Sequence, residues 1–140
     1  MEIEKILLPV DGSDFSVKAA EYALDFVKSR RGDIILMYSH RPFPSFLGEP
    51  YFQAVHDKIM NDAREMLAPF VRMFADSGMP VDQRILEGAP GESICRVAKI
   101  EKCDLIIMGS RGLTDLKGLF LGSVTHRVLN RAPCPVLVVR

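Results

Sequence analysis

Four short apolar runs constrain this chain more than anything else in it: Ile6-Leu7-Leu8, Ile34-Ile35-Leu36-Met37, Leu105-Ile106-Ile107-Met108 and Val136-Leu137-Val138-Val139. Each is continuous, without the apolar–polar alternation of a strand that shows one face to water. A strand that is apolar throughout is buried on both faces, which requires a parallel sheet covered by helices on each side. The segments between the runs supply those helices. Phe15, Ala19, Ala23, Phe26 and Val27 recur at helical spacing after a Ser13 or Asp14 cap, and the pattern stops at Arg30-Arg31-Gly32. Phe52, Val55, Ile59, Ala63, Met66, Leu67, Phe70 and Phe74 form a longer pattern that ends at Ser77-Gly78. Pro69 falls inside it and predicts a kink or local break. A third helix starts near Pro90-Gly91-Glu92, and a fourth runs from Ser123 to Arg131 before Pro133.

The strands are expected at 3–10, 33–39, 81–87, 105–108 and 135–139, the third weakened by Asp82, Gln83 and Arg84. At 140 residues the chain suits one domain over 1–140 with a real core. In such a sheet a ligand sits outside the carboxyl ends of the strands, where the strand order reverses. If the first and fourth strands are neighbours there, Asp11 faces the loop that begins at Gly109.

That loop carries the chemistry. The fourth strand breaks into Gly109-Ser110-Arg111-Gly112, and nine residues separate Gly112 from Gly122-Ser123, where a helix begins. Glycines let backbone N–H groups approach an anion closely, and a helix N-terminus adds unpaired donors and the positive end of a dipole. Arg111 and Lys117 bring positive charge, and Ser123 and Thr125 bring hydroxyls. The arrangement points to a nucleotide. It is not a Walker A loop, because no lysine follows Gly122, and no Gly-x-Gly-x-x-Gly follows the first strand as a dinucleotide fingerprint requires.

Composition excludes other classes. Eighteen cations balance eighteen anions, so nothing suggests a nucleic-acid footprint or an electrostatic membrane anchor. Cys95, Cys103 and Cys134 lack C-x-x-C spacing and are scattered from His40, His56 and His126, so no metal set emerges and the thiols read as reduced, buried small hydrophobes. The start Glu2-Ile3-Glu4-Lys5 lacks a signal-peptide profile, and no apolar run reaches the ~18 residues that span a bilayer. A cytoplasmic protein is expected.

These residues resemble the ATP-binding universal stress proteins, whose nucleotide motif is a glycine, two residues, a glycine, nine residues, then Gly-Ser or Gly-Thr. The resemblance includes the opening Ile6-Leu7-Leu8-Pro9-Val10-Asp11-Gly12-Ser13, the Gly88-Ala89-Pro90 turn and the ending Ala132-Pro133-Cys134-Pro135-Val136-Leu137-Val138-Val139. It implies a single-domain α/β fold with an open five-stranded parallel sheet of order 3-2-1-4-5. It also implies bound ATP with Mg2+ and a homodimer through the last strand. Carried over by position, Pro9, Val10 and Asp11 line the adenine and ribose end, and Ser39 flanks the base. Met108, Gly109 and Gly112 follow the ribose and phosphates, with Arg111 near the phosphates. Gly122, Ser123, Val124 and Thr125 cradle the phosphate tail.

Catalysis is a separate matter, because phosphoryl transfer needs metal, cationic stabilisation and an oriented nucleophile. Asp11 either helps hold Mg2+ or bonds ribose or backbone. His126 reads as a helix-surface residue, and Ser123 has no visible histidine–acid partner. No catalytic residue is assigned, and the expectation is a nucleotide-dependent stress-response switch with at most slow ATP hydrolysis. The alternative is a nucleotide-free dimeric interaction module, chaperone-like, that pairs through its apolar edge strand. An adenylyl-transferring relative is disfavoured because Pro9-Val10-Asp11-Gly12-Ser13-Asp14 has neither H-x-G-H nor S-G-G-x-D-S. The segment 40–51, with its prolines and phenylalanines, is expected to pack as a lid, or to serve as a flap or protein-partner surface.

Overall fold

The computed structural model describes residues 2–43, 46, 48–118 and 120–140. Strands β1 (Lys5–Pro9), β2 (Asp33–His40), β3 (Asp82–Glu87), β4 (Leu105–Gly109) and β5 (Val136–Val139) alternate with helices α1 (Asp14–Arg30), α2 (Tyr51–Asp76), α3 (Pro90–Ile100) and α4 (Ser123–Arg131). The strands form one parallel sheet of order β3-β2-β1-β4-β5.

The continuous apolar runs are explained by two cores, one on each face of this sheet. Ile6 and Leu8 of β1, Ile34 and Leu36 of β2, and Leu105 and Ile107 of β4 pack on one side. They meet Ala19, Ala23 and Val27 of α1 and Leu67, Phe70 and Phe74 of α2. The intervening Leu7, Ile35, Met37, Ile106 and Met108 point the other way and meet Ile94, Val97 and Ala98 of α3 and Val128 of α4. Because successive strand residues alternate faces, only an all-apolar run fills both cores.

The α2 helix runs through Pro69 without a break. Proline removes one hydrogen bond, but Leu67 and Phe70 on either side of it are buried at 0% and 4% exposure, so packing holds the helix together where propensity would end it. Between Ser13 and Asp14, the serine is the cap: its hydroxyl oxygen accepts the Ser16 N–H at 3.2 Å. The Asp104 carboxylate accepts the Glu4 and Lys5 N–H groups, each at 3.0 Å, and so fixes the start of β1 against the entry to β4. No helix among the described residues is long and apolar enough to cross a membrane.

Candidate functional site

The chain winds outward from β1 through β2 to β3, then returns to place β4 on the other flank of β1. The crossovers diverge at that point and leave a crevice above the carboxyl ends of β1 and β4. A cavity of about 390 Å³ occupies it. Of the site residues expected from the sequence, Pro9, Val10, Asp11, Ser39, Met108, Gly109, Arg111, Gly112, Ser123, Val124 and Thr125 line this cavity; Gly122 lies just behind the wall. Met37, Tyr38, Arg41, Pro90, Ile94 and Asp115 also line it and were not anticipated.

Val10, Met37, Met108, Pro90 and Ile94 give the cavity apolar lining. Ser39 also lines it, and its buried Oγ has no partner among the described residues, an unmet hydrogen-bonding group of the kind that binding sites retain. Residues of the glycine loop and of the start of α4 complete the lining. Asp11 faces the glycine loop, as strand adjacency requires: one carboxylate oxygen accepts the Ser13 N–H at 2.9 Å and the other accepts the Leu113 N–H at 3.1 Å. The backbone bond, one of the roles expected for Asp11, is thus made by both of its oxygens.

The glycines of the motif divide by what surrounds them. A Cβ on Gly112 would lie 2.5 Å from Asp11 Oδ2, and one on Gly122 would collide with the Asp115 carboxylate. Gly109 abuts protein backbone instead, because a Cβ there would lie 2.9 Å from both the carbonyl carbon and oxygen of Phe15. The Thr125 hydroxyl donates to the Gly109 carbonyl at 2.8 Å and pins the first turn of α4 to the end of β4. Its proton is therefore committed, which leaves only the hydroxyl oxygen to meet a ligand as an acceptor. The Gly122 N–H donates to the Ser110 carbonyl at 2.7 Å, closing the loop on itself.

Arg111 stands at the cavity wall with its guanidinium 4.5 Å above the Phe15 ring, and its buried Nε has no partner among the described residues. Stacking holds the cation without neutralising it. Lys117 is exposed and does not line the cavity, so of the two loop cations Arg111 is the one at its wall. His126 is exposed on α4, next to Asn130 and outside the cavity lining.

In segment 40–51, Phe43 packs against His40, Phe52 and His56 with ring centroids 4.9, 5.6 and 4.9 Å away, while Arg41 reaches the cavity. The segment thus rests on α2 and also borders the crevice. Pro44, Ser45 and Leu47 of this segment, and Leu119 of the glycine loop, lie outside the described residues.

The cysteines are free, with Cys103 buried in the second core and Cys95 and Cys134 packed at its edge. Burial pushes the Cys103 thiol up to about 11, with Cys134 adding to the effect. Against an ordinary thiol near 9.0, that lowers the thiolate fraction at pH 8 about a hundredfold. Iodoacetamide labelling followed by mass spectrometry should modify Cys103 about a hundred times more slowly than a small thiol. Labelling at the small-thiol rate would show the site to be open.

Comparison with known proteins bears on this geometry. The model of the universal stress protein family matches residues 2–140. The "Universal stress protein in QAH/OAS sulfhydrylase 3'region" of Thermus aquaticus is 38% identical over 136 residues, covering 96% of this chain and 97% of the relative. The solved structure of protein MJ0577 of Methanocaldococcus jannaschii superposes with a TM-score of 0.88 at 32% identity, covering 99% of this chain and 96% of that one. The universal stress protein of Archaeoglobus fulgidus in complex with dAMP shares the fold, with a TM-score of 0.72 at 19% identity over the full length of both chains.

Proposed function

The chain belongs to the universal stress protein family, and from that premise we propose that it binds an adenine nucleotide, ATP with Mg2+, as a cytoplasmic stress-response switch. One observation carries the proposal. The backbone N–H groups of Gly112 and Ser123, brought together by the glycine loop and the start of α4, both point to the carboxylate of Asp115. Two donors that converge on one negatively charged group form an anion cradle, and it lies in the same cavity as apolar lining and the unpartnered Ser39 hydroxyl. An apolar slot and an anion cradle in one crevice match a base joined to a phosphate tail. The Archaeoglobus fulgidus protein, with the same sheet, was solved with an adenine nucleotide.

Among the described residues no group of three or more His, Cys, Asp or Glu is placed to hold a metal. Mg2+ would therefore be held mainly by phosphate oxygens and water, with Asp11 as the nearby carboxylate. No histidine among the described residues lines the cavity, and its carboxylates, Asp11 and Asp115, are engaged by backbone N–H groups, which supports at most slow hydrolysis.

Nucleotide extracted from the purified protein should chromatograph as ATP. ATP with Mg2+ at about a hundredfold excess over its Kd should raise the melting temperature by roughly 10 °C. Turnover near the ~10 s⁻¹ of metabolic enzymes would contradict the switch assignment. Neither bound nucleotide nor a thermal shift would favour the dimeric interaction module instead. That second reading rests on β5, a sheet edge whose residues Val136 to Val139 are only half-buried, and on exposed Phe120, over whose ring the Arg140 guanidinium lies just past β5. A homodimer through β5 is compatible with either reading.

A further inference from the structure

The donors of the anion cradle are already engaged. Asp115 Oδ2 accepts the Gly112 N–H at 2.6 Å, and Asp115 Oδ1 approaches the Ser123 N–H at 3.5 Å at the N-terminus of α4. The carboxylate lies against the bare Cα of Gly122, in the space that any other residue's Cβ would take. It sits where an external anion would have to sit. We propose that Asp115 is an internal phosphate surrogate: it fills the cradle in the ligand-free protein, and a nucleotide's phosphate must expel it to bind. This rests on the adenine-nucleotide reading above and adds a regulatory element to it.

The chemistry is self-consistent. A carboxylate and a phosphate oxygen accept the same charge-assisted bonds from N–H groups and are favoured by the same helix dipole, so only one can hold the cradle at a time. Two features keep the internal occupant displaceable. Asp11 and Asp115 both flank Gly112, since a Cβ there would lie 2.5 Å from one carboxylate and 3.6 Å from the other, and like charges so placed repel. The contact to Ser123 is at the outer limit of a hydrogen bond, so α4 retains donor capacity for a better-placed anion.

Expulsion also has an outlet. Asp115 sits in the exposed loop that carries Leu113 and Leu116, 67% and 74% exposed.

An internal competitor lowers the apparent affinity by the fraction of molecules whose cradle is open. If the carboxylate occupies the cradle in nine molecules of ten or more, its removal tightens phosphate-bearing ligands by about tenfold or more. Adenosine, which has no phosphate, does not compete with Asp115 and gains nothing.

The test compares the wild-type protein with Asp115→Ala and Asp115→Asn. Calorimetry with ATP and with adenosine is combined with residue-resolved amide hydrogen exchange of the ligand-free proteins. Asp115→Ala should bind ATP about tenfold or more tightly, leave adenosine affinity unchanged, and speed exchange at the Gly112 and Ser123 amides. Asp115→Asn keeps the shape of the loop, loses the charge, and should shift ATP affinity in the same direction by less; it serves if the alanine variant folds poorly. Unchanged exchange at Gly112 and Ser123, or ATP affinity equal to or weaker than wild type in both variants, overturns the surrogate role. Faster exchange with no adenine nucleotide bound by any of the three proteins overturns the nucleotide reading, and the surrogate role with it.

Discussion

Gly112→Val should abolish detectable ATP binding while leaving the protein folded. The first atom of the new side chain would lie 2.5 Å from Asp11 Oδ2, far inside contact distance, and the valine methyl groups would extend it toward the cavity. Something must yield, and the element that can is the Asp11 carboxylate. Its movement costs the bonds to the Ser13 and Leu113 N–H groups and closes the phosphate end of the crevice. Overpacking of about 1–3 kcal/mol at the ligand, together with loss of the cradle's geometry, amounts to a hundredfold or greater loss of affinity, roughly what a titration can resolve. Stability should fall by much less. Gly112 does not use the left-handed backbone region, it is only half-buried, and the loop beyond it is exposed. Thermal shift with ATP, read beside circular dichroism and the melting point of the free protein, separates the two effects. An ATP-induced shift equal to that of wild type would place the phosphate elsewhere than this loop.

The sheet was legible because its strands are short, continuous and apolar, and only burial on two faces accounts for that pattern. The boundaries moved by one or two residues where hydrogen bonding, not hydropathy, decides them, as at Lys5 and His40. Of the kink or local break expected at Pro69 the break is absent, because a residue-level rule for helices has no knowledge of the packed Leu67, Phe70 and Phe74 that hold α2 together. In the crevice, residues tied to glycines or strand ends were legible. Asp115 was not, since an acidic residue in an exposed polar loop looks like ordinary solvated surface until the fold turns its carboxylate onto two backbone donors. Arg111 and Lys117 both bring charge to the loop by sequence, and Arg111, which the resemblance puts near the phosphates, is the one of the two that reaches the wall. Met37 and Ile94 belong to the core pattern by spacing and Pro90 reads as a helix start, and nothing in their order in the chain marks them as also lining a cavity.

Gly109→Ala, in contrast to Gly112→Val, should weaken the fold itself. A Cβ at Gly109 would meet Phe15 Cβ at 2.8 Å and the Phe15 carbonyl carbon and oxygen at 2.9 Å. Backbone cannot rotate aside as the end of a side chain can, so relief requires moving the first turn of α1. That turn is held on one side by the Ser13 cap and on the other by the Asp11 carboxylate bond to the Ser13 N–H. Displacing it would also lift Ala19 and Ala23 from the core they share with Ile107 of β4. Overpacking of this type costs about 1–3 kcal/mol, and more where backbone must shift, which for a domain of this size lowers the melting temperature by roughly 5–12 °C. Urea and thermal unfolding of the ligand-free proteins measure the effect directly, and a midpoint within a degree or so of wild type would show that α1 accommodates a methyl group there. Saturating ATP should recover only part of the lost melting temperature, because the ligand stabilises the crevice and does not relieve the overlap between β4 and α1. Gly109 therefore belongs to the packing of β4 against α1, whereas Gly112 stands at the cavity wall against the Asp11 carboxylate.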